Sequence, residues 1–84
     1  MIRILYFARL REQLGTAWEE LPGRPDAATV ADLAAALRRR GGPWAEAFAA
    51  DQSMLASVNQ ELARGETAVA DGDEVAFFPP VTGG

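Results

Sequence analysis

Hydrophobic positions recur with a period of two at the start of the chain. Ile2, Ile4 and Tyr6 fall on one face of an extended segment over Ile2–Phe7, and Arg3, Leu5 and Phe7 fall on the other. A strand with one solvated face carries polar side chains there, so Leu5 and Phe7 require a cover, either a loop of this chain or a partner. Good helix formers from Ala8 to Leu14 then stop at Gly15, a residue suited to a left-handed C-terminal position. Thr16–Leu21 predicts a second strand, in which Ala17, Glu19 and Leu21 alternate against Trp18 and Glu20 before Pro22, Gly23 and Pro25 impose a loop.

The period then changes. Val30, Leu33, Ala34 and Leu37 recur at i, i+3, i+4 and i+7, which predicts a helix over Val30–Arg40 with one apolar stripe, Thr29 as N-cap, Asp32 completing a variant capping box, and Gly41 as the stop. Pro43 suits the first position of a short helix that places Trp44 and Phe48 on one face. Met54–Val58, a turn at Asn59-Gln60 and Glu61–Ala63 form a hairpin. Asp71-Gly72-Asp73 turns the chain into a last strand, Glu74–Phe78, in which Val75 and Phe77 alternate with Ala76 and Phe78. Pro79 and Pro80 end it, because neither donates a backbone hydrogen bond. The expected architecture is α+β, a mixed sheet packed on one main helix plus short helices. The chain divides into a folded domain over 1–78 and an extended tail over 79–84.

Composition narrows the chemistry. The 84 residues include no Cys and no His, and all eight cations are Arg. Disulfides, thiolate nucleophiles and imidazole bases are thereby excluded, and no metal-ligand spacing or phosphate-binding glycine loop is present. The net charge of −4 argues against nucleic acid as a partner, and the one basic run, Arg38-Arg39-Arg40, is read as closing the main helix against its macrodipole. No membrane span or signal peptide is legible, so the chain is expected to be soluble and cytoplasmic. Turn chemistry accounts for Asp71 and Asp73, and core or partial-core packing is expected for Trp18 and Trp44.

The tail carries what the side chains do not. A stiff Pro79-Pro80 spacer, then Val81, Thr82, Gly83 and Gly84, suits a probe that takes its own C-terminal carboxylate into a narrow cleft. The prolines limit the entropy lost on docking, and the glycines pass walls that would exclude a Cβ. A carboxylate is a poor electrophile and requires activation as an acyl-adenylate. Without Cys, any sulfur the chain carries must reside on that carboxylate as a thiocarboxylate.

Ile4-Leu5-Tyr6-Phe7-Ala8, Arg11-Glu12, Gly15, Val58-Asn59-Gln60 and above all the closing stretch Asp71–Gly84 resemble the MoaD family, the ubiquitin-like sulfur carriers that are small subunits of molybdopterin synthase. The resemblance spans nearly the whole chain. It implies a β-grasp fold, a Gly84 that is adenylated by a MoeB-type activating enzyme using ATP, and conversion to a thiocarboxylate, with Gly83 the slim residue behind it. It further implies insertion of the tail into the large synthase subunit, in a heterotetramer, and sulfur transfer to cyclic pyranopterin monophosphate during molybdenum cofactor biosynthesis. Active-site side chains would then belong to the large subunit, and this chain would be a noncatalytic sulfur donor with no bound cofactor or metal.

The same resemblance implies that Phe7, Leu62 and Phe78, together with Pro79, Pro80, Val81 and Thr82, meet those two partners. The alternative to an interface for Phe7 and Phe78 is burial under neighbouring loops. Rival functions are a related Gly-Gly carrier serving thiamine, cysteine or tRNA thiolation, a ubiquitin-like protein modifier, and a plain interaction domain.

Overall fold

The computed structural model describes residues 1–22, 29–49 and 54–80. The elements run β1 (Ile2–Tyr6), α1 (Arg9–Leu14), β2 (Trp18–Leu21), α2 (Val30–Arg38), α3 (Pro43–Ala47), β3 (Leu55–Val58), β4 (Glu61–Ala63) and β5 (Glu74–Phe78). Five strands form one mixed sheet in the order β2-β1-β5-β3-β4. The first and last strands lie side by side and parallel, with Ile4 opposite Val75 and Tyr6 opposite Phe77, and every other pairing is antiparallel. This is the expected α+β, β-grasp arrangement.

The period-two pattern of β1 decides which face is inner. Ile2, Ile4 and Tyr6 are buried together with Val75 and Phe77 of β5 and Ala56 of β3, and Val30, Leu33 and Leu37 of α2 join the same cluster. Ile4 and Val75 retain no solvent exposure, so the parallel pair is the centre of the core. Phe48 closes the cluster edge-on to Phe77, with ring centroids 5.1 Å apart.

The N-terminus of α2 is fully satisfied, as the sequence leads one to expect. Thr29 Oγ1 accepts from the Asp32 amide and Asp32 Oδ2 accepts from the Thr29 amide, each at 3.2 Å. The two amides between them donate to the loop that follows β4: Val30 to the Thr67 carbonyl at 3.0 Å and Ala31 to Gly65 at 2.8 Å. The cap therefore orients the helix as well as starting it.

Two expectations are corrected. Trp18 is 51% exposed and not part of the core, because β2 is an edge strand and Trp18 points to the face away from α2. The main helix ends at Arg38, and Arg40 does more than complement a dipole. Its guanidinium donates to both oxygens of Glu19, at 2.9 and 2.8 Å, and lies over Trp44, 4.5 Å from the ring centroid. Glu19 Oε2 also accepts from the buried Tyr6 hydroxyl at 2.8 Å, and Trp44 meets Tyr6 edge-on at 5.4 Å. Tyr6, Glu19, Arg40 and Trp44 thus close a ring that joins β1, β2, the end of α2 and α3.

Burial pushes the Glu19 carboxyl up, but its hydrogen bonds from Arg40 and Tyr6 prevail and hold it below its usual range. Burial first, and then the bond to Glu19, push the Tyr6 hydroxyl well up. A carboxyl held low in the folded state contributes stability that is present above its unfolded pKa and lost as the pH falls through the folded value. Glu19→Gln should therefore lower the thermal midpoint at pH 7 by roughly 5–10 °C, from a loss of about 1–2 kcal/mol. The gap from the parent protein should narrow as the pH falls below about 4. Calorimetric scans of both proteins at several pH values check this, and a gap independent of pH refutes it.

Candidate functional site

Register builds the second face of the sheet. Opposite the core, Leu5 pairs across β1 with Trp18 on β2 and Ala76 on β5, and Ser57 pairs with Ala76 and with Leu62 on β4. Trp18, Leu5, Ala76, Ser57 and Leu62 therefore form one row across all five strands. Toward the C-terminal ends of β1 and β5, Leu55 pairs with Phe78. Phe7 carries the parallel ladder one step further, its amide donating to the Phe77 carbonyl at 3.2 Å. At the other end of the face, Arg3 lies opposite Glu20 and Glu74.

The face is apolar and largely uncovered. Of the five large hydrophobic side chains exposed among the described residues, four belong to it: Phe7 at 49%, Trp18 at 51%, Leu55 at 36% and Leu62 at 75%. Phe78, Pro79 and Pro80 are half-buried, as is Leu5. Of the two alternatives for Phe7, burial under a loop of the described residues does not occur. Val81, Thr82, Gly83 and Gly84 lie outside the described residues. Leu5 was expected on this face with Phe7, whereas Leu55 and Trp18 were not singled out for it from the sequence. The signal for Trp18 was present in its alternation with Glu19 and Leu21, which places it beside Glu20 on the solvent side of an edge strand.

Local backbone geometry aims this corner. β1 ends one residue before Phe7, and the chain turns on Ala8, a non-glycine residue at φ 56° and ψ −136°, nearly the conformation that Gly42 takes before α3. Such a conformation costs an L-residue about 1–3 kcal/mol. The Phe7 carbonyl accepts from the Leu10 amide at 3.2 Å and the Ala8 carbonyl from Arg11 at 3.1 Å, which holds the turn closed.

The far end of β5 is fixed by the acidic turn. Asp73 accepts from the Ala70 amide at 2.8 Å and from Asn59 Nδ2 at 3.1 Å, bonds that hold its carboxyl below the usual range in that order of strength. Asp71 pairs with the Met1 amino group. Asp73 is thus committed to turn structure, as expected, whereas Asp71 ties the turn to the N-terminus. Asn59 and Gln60, at φ 52° and 71°, make the hairpin turn, and Asn59 also clasps β5 through the Glu74 amide at 3.1 Å and carbonyl at 2.7 Å.

An open depression of about 300 Å³ beside Pro79 is walled by Arg9, Gln13 and Glu46 over Leu10 and Ala47. Among the described residues there is no cluster of three potential metal ligands, and no helix is long and apolar enough to cross a membrane. The geometry offers an apolar sheet face with a proline-stiffened strand leaving from one end of it. That arrangement suits docking to another protein more than chemistry by its own side chains.

Comparison with known proteins matches residues 4–84 to the ThiS family. The molybdopterin synthase sulfur carrier subunit of Escherichia coli is 45% identical over 84 residues, and that of Haemophilus influenzae 42%, each match covering all of both chains. Among solved structures, small archaeal modifier protein 1 of H. volcanii superposes with a TM-score of 0.76 at 30% identity, over 95% of this chain and 97% of that one.

If the outer face serves docking and not folding, its side chains should be dispensable for stability. Leu62→Ser should change the unfolding free energy by less than about 0.5 kcal/mol. Phe77→Ala, on the inner face, should cost about 3–5 kcal/mol. Urea titrations of both variants check the contrast, and comparable losses would show that Leu62 supports the fold.

Proposed function

The chain belongs to the ThiS family, and on that premise we propose that it is the sulfur carrier subunit of a molybdopterin synthase, with Gly84 as the carrier residue. The observation that carries the reading is the 45% and 42% identity over the full length of curated sulfur carrier subunits, matches that cover this chain to its closing Gly83-Gly84. The chemistry that remains without Cys or His supports it.

In this reading an activating enzyme of the MoeB type uses ATP to adenylate the Gly84 carboxylate, releasing pyrophosphate. A sulfur nucleophile then attacks the acyl carbon, AMP leaves, and a thiocarboxylate remains. The large synthase subunit receives the tail and supplies the acid and base groups. The thiocarboxylate sulfur bonds to a carbon of cyclic pyranopterin monophosphate, displacing an oxygen substituent, and water then cleaves the acyl–sulfur bond, which regenerates the carboxylate. This chain's part is to present one atom at the end of a stiff arm. Parallel pairing of β1 and β5 places the root of that arm beside Phe7, so docking of the apolar face and delivery of the tail are one event. Pro79 and Pro80 restrict the arm, which lowers the entropy lost as it enters a cleft.

Fold kinship with a small archaeal modifier protein favours a second reading, in which the adenylated terminus is captured by a lysine amine of another protein. Recovery of this chain in isopeptide linkage through Gly84 would establish that use.

Incubation with the activating enzyme, ATP and a sulfur source should raise the intact mass by the difference between one sulfur and one oxygen atom, located in the C-terminal peptide. Removal of Gly84 should abolish both that shift and product formation by the assembled synthase, while the thermal midpoint stays within a few degrees. Product formation by the truncated chain would refute the carrier role.

A further inference from the structure

Trp18 is the feature of the exposed face that neither the carrier chemistry nor the tail explains. It stands at the edge strand β2, four strand spacings from Leu62, or about 19 Å at ~4.8 Å per strand. Its indole is half exposed, yet it is not loose: the Arg3 guanidinium lies over it, 5.1 Å from the ring centroid. Arg3 in turn sits between Glu20 and Glu74 in the sheet. An indole stacked in this way is biased toward one rotamer before any partner arrives, which reduces the freedom lost on docking. Tryptophan and arginine are also the side chains that dominate binding energy at protein interfaces.

Resting on the carrier reading, we propose that the docking face runs from edge to edge of the sheet, and that the Arg3-stacked Trp18 is a second anchor, remote from the tail, that seats in an apolar recess of the large synthase subunit. Three observations converge on that occupant. Trp18 stands in register, through Leu5, the buried Ala76 and Ser57, with Leu62 at the opposite edge, and this row lies next to the Leu55–Phe78 pair at the tail end, so one partner spanning the face reaches both edges. A lasting assembly of subunits buries a larger and more apolar area than a transient encounter with an activating enzyme, which must capture the tail and release it. The row Glu20-Arg3-Glu74 beyond Trp18 holds two carboxylates against one guanidinium, on a chain of net charge −4, so the recess is bordered by basic side chains on the partner.

The test uses the full chain and the large subunit of the same organism, with affinity measured by calorimetry. Trp18→Ala should weaken binding about 10- to 100-fold, whereas Trp18→Phe retains most of it. Glu20→Lys should slow association and flatten its dependence on salt. The thermal midpoint of each variant alone should stay within a few degrees of the parent, which separates a lost anchor from a damaged fold. Binding by Trp18→Ala within about 2-fold of the parent overturns the second anchor while leaving the carrier reading intact. An equal loss in thiocarboxylate formation by the activating enzyme overturns the assignment to the large subunit. If the parent chain does not bind the large subunit at all, the carrier reading falls, and this proposal with it.

Discussion

The parallel pairing of the first strand with the last is the constraint on which the rest of the molecule depends. It joins residues some seventy positions apart in sequence, and it pairs Ile4 with Val75, both without solvent exposure. Because β1 and β5 run the same way, their C-terminal ends emerge together, and the Phe7 turn and the Pro79-Pro80 exit share a corner. An antiparallel pairing would put these features at opposite ends of the sheet. A one-residue slip would turn every side chain of β5 to the other face, exchanging Val75 and Phe77 for Ala76 and Phe78 in the core. The register is held at the far end by Asn59, Asp73 and the Arg3 amide, which donates to the Asp73 carbonyl at 3.0 Å. A small acidic turn therefore secures the position of a tail root at the opposite end of the strand.

The ring of Tyr6, Glu19, Arg40 and Trp44 performs the matching task for the edge strand. β2 is four residues long and has a neighbour on one side only, so backbone bonding alone holds it weakly. Glu19 faces inward at that edge, where a carboxylate without partners would be costly, and two donors make the position tenable. The ring also anchors α3 through Trp44. With the inner side of β2 secured in this way, Trp18 on its outer side is left available to solvent or to another protein.

The division of labour between the two faces shows how so short a chain could combine a stable fold with a docking surface, as the carrier reading requires. The inner face is spent on stability, with Phe77, Tyr6, Ile2, Ile4 and three positions of α2 packed into one cluster. The outer face contributes little to that cluster, which leaves it free to be shaped for partners. Chemistry is placed on neither face. In the carrier reading, a chain without Cys or His offers a terminal thiocarboxylate no thiol or imidazole nucleophile of its own.

Much of this was legible in the sequence, and the reason differs by element. The alternation of β1, the stripe and capping box of α2, the Asn59-Gln60 turn and the Asp71-Gly72-Asp73 turn are local patterns governed by backbone geometry, and each lies within a residue or two of its expected place. The Gly-Gly tail and the carrier role rest on residue types and on resemblance, which need no coordinates. The setting of Arg40 depends on contacts across 21 residues, which no local window contains, whereas for Trp18 the alternation is legible and only its place on an edge strand is not. The sequence by itself determined the elements and the inner face, since these follow from periodicity and turn propensity, and by resemblance it pointed to Gly84 as the working end. Only the tertiary structure decided that Trp18, Leu5, Leu62 and Phe7 share one outer face with Pro79 and Pro80 at its end, because a row across a sheet is defined by pairing register between strands distant in the chain.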